Sequence, residues 1–384
     1  TKRRGMNRLL RAVQKFCTEM DMKLAVEKTV ILAYGTDQHS WRVSDSGPDI
    51  ESSMVAKYLG VDIGVQGRNL IKPREAKMIG SARAYAHTIM GCTRWGLDRS
   101  LTASKLWECC AVPQFLYGTE AMVISKTTVK ELEKIQHTVA SFILQMPLSA
   151  SQVMGWMDAG LKPIRMRLNE RSILFAHSLV AKKKDNLSKA VAQATLSDRT
   201  DPWTKRIMSI QTELGITDLT QVTRANLKRR IMSSQIAKLR VIKQSHSSLK
   251  WLSEPEKWFK LNPQTNDSEE CAALNQFRAG DAGLGNRRPN HLGLSYKQCP
   301  WCRAHGVSSK LDEQHVLLDC PGTGFTRFST GVKAFQDARL AMMSKEQIMK
   351  EYLGGDGSGV NVMSERGSWI LAILKEWRRV TELL

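Results

Sequence analysis

The feature that most constrains the fold is a short pattern of cysteine and histidine residues in the last quarter of the chain. Cys299 and Cys302 enclose a Pro-Trp pair, and twelve residues later His315 is followed, after four more residues, by Cys320. Two thiolates one short turn apart, followed by a His/Cys pair, can close a tetrahedral shell around zinc. Four protein ligands leave no position for a catalytic water. The pattern therefore predicts a structural zinc knuckle ligated by these four side chains.

Alternatives to this ligand set remain open in the sequence. His305 is a rival fourth ligand, although it would crowd Cys302. A chance cluster of reduced cysteines is the other alternative. Residues 298–324 include few apolar side chains, so a bound metal would supply much of their folding free energy. The remaining cysteines are too sparse for a disulfide framework, and we expect reduced core residues: Cys17, Cys92, Cys109, Cys110 and Cys271.

The charge of the chain indicates a polyanionic partner. Among its 384 residues, 57 Lys and Arg face 37 Asp and Glu, giving a formal charge of +20 and a pI near 9.7. Nucleic acid is the commonest partner of so basic a protein, because each phosphate contact releases counterions. No apolar run approaches the roughly 20 residues of a membrane span, and we expect neither a membrane nor a small-molecule partner.

Hydrophobic periodicity predicts a mainly α-helical protein with a small antiparallel β segment near the N-terminus. An amphipathic helix opens the chain, and strands are predicted within residues 29–35, 41–43 and 54–64. Pro73 should begin a helix, and the last helix should present one apolar face. Residue pairs typical of helix starts are Thr128/Glu131, Asp201/Pro202 and Ser344/Gln347. The residues expected on the last face are Trp369, Ile370, Ile373, Leu374, Trp377 and Val380.

A basic amphipathic helix is the main candidate for binding a phosphate backbone. Residues 223–260 contain ten Lys or Arg against two acidic residues. The alternative is an ordinary solvated face. The candidate contacts are Arg224, Lys228, Arg229, Arg230, Lys238, Arg240 and Lys243, beside apolar Leu227, Ile231, Ile236, Leu239 and Ile242.

Further candidate contacts flank the cysteine pattern. Arg278, Arg287 and Arg288 could clamp phosphates or stack on exposed bases. Trp301 could stack on a base, or it could pack against the knuckle.

Four blocks of sequence, in order and spacing, resemble the C-terminal half of LINE-type (non-LTR) retrotransposon reverse transcriptases. NRLLRAVQKFCTEMDMKLAVEKTVIL (7–32) is similar to the helix and strand after the active-site strand, and KYLGVDIG (57–64) to the hairpin called the primer grip. WECCAVPQFLYGTEAM (107–122) is similar to a thumb-side helix, and CAALNQFRAGDAGLGNRRPNHLG (271–293) to the segment before the family's knuckle.

The resemblance implies a domain order and additional contacts. It implies a palm remnant (1–70), a thumb-like helical domain (71–150), a basic helical connector (151–265), a zinc-knuckle region (266–330) and a C-terminal helical segment (331–384). It also implies nucleic-acid contacts from Lys28, Lys57 and Tyr58.

One departure from the family decides the expected function. The paired aspartates that hold the family's catalytic metal ions belong to motifs upstream of these blocks, and no Asp-Asp pair occurs in this chain. An Asn expected shortly before Lys28-Thr29 is also absent, since the chain reads LAVEKT. We therefore expect a non-catalytic RNA-binding and structural protein.

That protein would act within a larger ribonucleoprotein, such as an organellar ribosome. The alternative is the C-terminal portion of an active RNA-directed DNA polymerase whose catalytic half lies upstream. The RNA would be rRNA or an element transcript. The compartment stays open between the nucleus or cytoplasm that the resemblance implies and the mitochondrial matrix of an organellar ribosome.

Overall fold

Most of the described chain is α-helical, and two small antiparallel sheets lie near its start, as the sequence predicts. The computed structural model describes residues 3–32, 41–42, 49–50, 52–65, 71–93, 99–181, 186–245, 269–278, 297–323, 344–345, 347–349 and 360–382. The helices are α1 (Arg3–Glu19), α2 (Lys72–Cys92), α3 (Arg99–Leu106), α4 (Val112–Phe115), α5 (Lys126–Leu144), α6 (Gln152–Met157), α7 (Ile164–Val180), α8 (Leu187–Ser197), α9 (Pro202–Leu214), α10 (Arg224–Ser245), α11 (Glu269–Arg278), α12 (Pro300–Ala304) and α13 (Val360–Glu382). The strands are β1 (Trp41–Arg42), β2 (Asp49–Ile50), β3 (Val55–Tyr58) and β4 (Val61–Gly64). None of the described helices is both long and apolar enough to cross a bilayer.

The N-terminal β segment is smaller than predicted. β1 pairs with β2, and β3 pairs with β4 across a two-residue turn. That turn has positive φ angles of 46° at Leu59 and 83° at Gly60, a backbone form that suits the twist of a hairpin. Within residues 29–35, Ile31 makes a single bridge to Ser52, and residues 33–35 lie outside the described residues.

Helices α2 to α7 pack around the largest apolar core, which we call the helical body (residues 71–168). The start of α2 carries Pro73 in its first turn, as predicted. The predicted start of α5 is three residues off, because Ser125 and not Thr128 is the N-cap. The Ser125 hydroxyl accepts a hydrogen bond from the Thr128 N–H at 3.2 Å, so Thr128 lies within the first turn.

A second apolar cluster joins α7 to α8, α9 and α10. The first half of α7 packs in the helical body, and its second half, from Ile173 onward, packs in this second cluster. α9 begins as predicted, because an Asp201 carboxylate oxygen accepts a hydrogen bond from the Thr204 N–H at 2.7 Å. The predicted domain limits stay a prediction.

The C-terminal unit, which we define as α11, residues 297–323 and α13, has its own core. Five of the six apolar residues predicted for one face of the last helix are buried there, while the Val380 side chain lies outside the described residues. The capping pair of Ser344 and Gln347 is confirmed by reciprocal hydrogen bonds of 2.7 and 3.2 Å.

α11 attaches the C-terminal unit to the helical body through buried polar contacts. The Asn275 side-chain amide donates to the Leu144 carbonyl at 2.9 Å. Arg278 forms an ion pair with Asp158 at 2.9 Å, and both side chains are 2% exposed.

Candidate metal centre and nucleic-acid interface

Local structure positions the four predicted metal ligands. Cys299 is the N-cap of α12 and Cys302 lies one turn later within it. Gly306, with φ at 72°, then reverses the chain, and because glycine has no Cβ atom this left-handed conformation is unstrained. His315 begins a π-helical turn (His315–Asp319) that ends at Cys320. The two pairs are thus carried by two short helical turns.

The side chains of these four residues converge on one point. Their ligand atoms all lie within 4.8 Å of one another. The Sγ atoms of Cys299 and Cys320 are 3.7 Å apart, and Cys302 Sγ lies 3.4 Å from His315 Nε2. A tetrahedron with zinc–ligand bonds of about 2.3 and 2.0 Å has edges of roughly 3.8 and 3.5 Å. The two separations match the edges of such a tetrahedron, and the four residues could hold a metal ion.

A disulfide does not account for the cluster. The Sγ separation of 3.7 Å between Cys299 and Cys320 is far longer than the roughly 2.05 Å of an S–S bond. All three thiols are fully buried, and His315 is 8% exposed. Their burial beneath α13 makes the group a closed centre without an open face.

The electrostatics of the thiols favour a cation among them. The hydrogen bond with Cys320 lowers the pKa of the Cys299 thiol. That contact, together with burial and the negative charge of Cys299, raises the pKa of Cys320, and burial raises the pKa of Cys302. The negative charge of one thiolate therefore disfavours deprotonation of the other two thiols. A bound cation would compensate that repulsion.

His305 is not part of the cluster. Its ring Nδ1 lies 2.8 Å from the Trp301 carbonyl oxygen, and the residue is exposed. The choice of His315 over His305 agrees with the structure.

The Trp301 indole is half-buried and packs against the C-terminal core. It also stacks on the His305 ring at a centroid distance of 3.9 Å. A methyl group at Gly322 would come within 2.8 Å of this indole. Of the two interpretations of Trp301, packing against the knuckle is the one that the contacts favour.

The basic helix predicted for residues 223–260 is observed as α10, which ends at Ser245. Leu227, Ile231 and Leu239 are buried as predicted, whereas Ile236 and Ile242 are half-buried. The candidate contacts that stand exposed are Arg224, Lys228, Arg229, Arg230, Lys238 and Arg240, and Lys243 is half-buried.

Arg230 and Lys238 are held by partners within the protein. Arg230 donates to the Leu214 and Gly215 carbonyls at the end of α9, at 3.3 and 2.9 Å. Lys238 forms an ion pair with Glu213 at 2.5 Å. Lys228 and Arg229, by contrast, form no ion pair with any residue that the structure describes.

The β3–β4 hairpin and the Tyr117-Gly118 segment are in contact. Lys57 and Tyr58 are exposed at the end of β3, and the next residue, Leu59, accepts a hydrogen bond from the Tyr117 hydroxyl at 3.1 Å. Gly118 approaches so closely that a Cβ atom would lie 2.5 Å from Val61. Lys28, the remaining contact implied by the resemblance, is exposed in a 3₁₀ turn (Val26–Lys28).

Arg74 of α2 fixes the segment that contacts the hairpin, and the sequence did not predict this role. Its buried guanidinium donates to the Phe115 and Tyr117 carbonyls at 3.2 and 2.6 Å. The partners lie more than 40 residues away along the chain, so no local pattern pointed to this arginine.

Two expectations are corrected by the structure. Arg278 does not offer its guanidinium to phosphates, because the side chain is 2% exposed and paired with Asp158. Cys92, Cys109 and Cys110 are exposed and Cys17 is half-buried, so these four are not core residues, although all are free thiols. Arg287 and Arg288, and the side chain of Cys271, lie outside the described residues.

No family model, curated protein or solved structure matches this chain.

Proposed function

We propose that this chain is a non-catalytic RNA-binding and structural protein, descended from a LINE-type reverse transcriptase and stabilised by zinc, that acts within a larger ribonucleoprotein. The observation that carries the proposal is that one chain has both a buried Cys/His cluster and exposed basic residues on α10. We call Lys228, Arg229 and Arg240 the basic strip.

Zinc is the metal that the chemistry of the cluster favours. Three thiols and one imidazole are soft and borderline ligands, which select zinc over magnesium or calcium. Four protein ligands would fill a tetrahedral shell, so the ion would order the chain and would not activate a water molecule. Cys299 and Cys302 would fix one turn, and His315 and Cys320 the other.

The basic strip supplies the proposed contact with RNA. Arg229 and Arg240 are eleven residues apart, about three helical turns, and therefore lie along one line of α10. Lys228 precedes Arg229 directly and lies about 100° around the helix from this line. Two exposed cations about 16 Å apart along the helix, with Lys228 beside the first in sequence, suit phosphates at separate positions along one strand.

The hairpin supports the proposed ancestry. Two separate blocks of the resemblance, residues 57–64 and 107–122, are in direct contact through Tyr117 and Gly118. The same contact also suits the second candidate function, in which the chain is the C-terminal portion of an active RNA-directed DNA polymerase. Primer extension by the full product of the transcript, with an upstream Tyr-x-Asp-Asp motif, would favour that second candidate.

Charge reversal on α10 tests the proposed function. The triple variant Lys228→Glu, Arg229→Glu, Arg240→Glu should bind a labelled single-stranded RNA at least about tenfold more weakly. Its slope of log K against log salt should be shallower by about 2, because three phosphate contacts are lost. Fluorescence anisotropy over a salt series measures both quantities.

A matched variant changes the net charge equally elsewhere. Lys126, Arg199 and Lys205 are exposed on other parts of the surface, and their replacement by Glu also removes three positive charges and adds three negative ones. Equal loss of RNA binding in both triple variants would contradict a binding site on α10.

A further inference from the structure

An open groove of about 1070 Å³ lies on the other flank of α10 from its basic strip. Its walls come from α5, α6, α7 and α10, and α9 contributes Glu213 to its rim. The apolar residues lining it are Val129, Trp156, Pro163, Met166, Ala237, Val241 and Ile242. Val241 is 65% exposed, although its neighbours in the groove are apolar. Exposed apolar surface of this kind, gathered in a concave site, is typical of a binding surface.

The groove and the basic strip are separated by the body of α10. Ser234, Lys238 and Val241 follow one another at spacings of four and three residues, so they share the groove side of the helix. Arg229 and Arg240 lie along a different line. A ligand in the groove would therefore not cover the strip proposed for RNA.

The rim of the groove carries an excess of positive charge. Among the described residues of the rim, four basic ones, Lys130, Lys134, Arg165 and Lys238, stand against two acidic ones, Glu133 and Glu213, which leaves two positive charges. Both carboxylates have partners within the protein. Glu213 pairs with Lys238, and Glu133 accepts the Arg165 backbone N–H at 3.3 Å near the start of α7.

Two of the rim cations are not neutralised by the described residues. Lys134 is paired with Glu131 at 2.7 Å, just as Lys238 is paired with Glu213. Lys130 and Arg165 form no ion pair with any residue that the structure describes, and both are exposed. They lie on α5 and α7, on two different walls of the groove.

We infer that this groove binds an acidic amphipathic helix of a partner protein. Such a helix would place its apolar side chains on Trp156, Met166 and Val241, and its carboxylates beside Lys130 and Arg165. The positive charges are spread over separate walls, which matches several carboxylates along a helix better than one compact headgroup. The inference goes beyond the proposed RNA binding and needs neither the metal nor the basic strip.

The test is a binding titration of the full chain with two labelled peptides of about 18 residues. Both have leucines at helical i, i+3, i+4, i+7 spacing, and the remaining positions are mainly Glu in one and mainly Lys in the other. The acidic peptide should bind saturably, with a Kd on the order of 10 µM. The basic peptide should bind at least about tenfold more weakly, because it meets like charges at the rim.

Variants locate the binding. Val241→Asp should weaken binding of the acidic peptide at least about tenfold, because it puts a negative charge on the apolar lining of the groove. The matched variant Val191→Asp, on α8, is also a substitution at an exposed valine, 55% exposed, and should change nothing. Lys130→Glu with Arg165→Glu should reverse the preference between the two peptides. Circular dichroism checks that each variant is folded.

Several results would overturn the inference. They are absence of saturable binding, equal binding of the two peptides, and insensitivity to Val241→Asp. A dimer of the full chain that Val241→Asp abolishes would assign the groove to a second copy instead. The triple variant of the basic strip should bind the acidic peptide normally, so failure of the RNA proposal and failure of this one are distinguishable.

Discussion

The helical body and the C-terminal unit differ in what fills their cores. The core of the helical body consists of buried apolar side chains such as Trp107, Phe115 and Leu132, all 0% exposed. The core of the C-terminal unit also includes three thiols, with an imidazole at its edge. Burial of apolar surface stabilises the first on its own. Buried ionisable groups cost free energy unless they are paired, so the second depends on what binds them.

Contacts of α11 join the C-terminal unit to the helical body, and they decide whether unfolding of one region also unfolds the other. Asn275 and Arg278 of α11 reach the helical body, while the rest of α11 packs on α13. The comparison therefore predicts that loss of the metal ion proposed for the Cys/His cluster disorders the C-terminal unit and leaves the helical body folded.

Removal of the metal should have the largest effect. The variant Cys299→Ser, Cys320→Ser, or treatment with a strong zinc chelator, should abolish hydrogen-exchange protection in residues 297–323. Protection in α5 should be retained. The expected loss is on the order of 10 kcal/mol of apparent binding free energy, which in such sites is folding free energy.

The exposed Cys109 provides a control for thiol removal, since Cys109→Ser should leave protection unchanged in both regions. If hydrogen-exchange protection were lost in α5 as well as in residues 297–323, the two regions would fold as one unit. That result would contradict the proposed difference between them.

Loss of the ion pair between Arg278 and Asp158, which joins α11 to the helical body, should have the next largest effect. Arg278→Ala leaves the buried Asp158 carboxylate without its cation, which costs about 3–5 kcal/mol. Burial already raises the pKa of Asp158, and Arg278 is the main group that opposes this shift. Urea unfolding monitored by tryptophan fluorescence measures the loss.

Arg379 in α13 is the matched control, because its ion pair with Glu376 lies at the surface. Arg379→Ala should leave the unfolding midpoint unchanged. Equal midpoints for Arg278→Ala and Arg379→Ala would mean that the buried pair does not hold α11 on the helical body.

The smallest effect should come from the helix cap of α5. Ser125→Ala removes the acceptor for the Thr128 N–H and should destabilise the helical body by about 1 kcal/mol, while Ser125→Asp should restore most of the loss. Thermal unfolding measures both variants, and metal stoichiometry should stay at the wild-type value. A change in metal content would mean that the stability of the helical body affects metal binding in the C-terminal unit, which contradicts their proposed independence.

Local sequence patterns predicted the parts of the molecule that local chemistry determines. The grouping of Cys299, Cys302, His315 and Cys320 was predictable because the two short turns that carry them lie within 22 residues of one another. β-structure within residues 54–64 followed from the alternation of apolar residues, and the buried face of α13 from its periodicity. Asp201 was a correct cap because the proline after it fixed the start of α9.

Contacts between distant residues could not be predicted in the same way. The partner of Arg278 lies 120 residues away, and without it the side chain looked like one more surface cation. The cap of α5 was misplaced because Ser125, Thr127 and Thr128 are all plausible caps, and packing decides among them. Cys109 and Cys110 were expected in the core because their neighbours are apolar, but both are exposed.

The most direct test of the metal centre is the absorption spectrum of the full chain titrated with Co²⁺ in place of zinc. Three thiolates and one imidazole should give one Co²⁺ per chain, with intense thiolate-to-metal bands and the visible bands of tetrahedral coordination. Zinc should then displace the cobalt, and Cys302→Ser should abolish the spectrum. An octahedral spectrum, or no saturable binding, would contradict the assignment of this cluster as a structural zinc site.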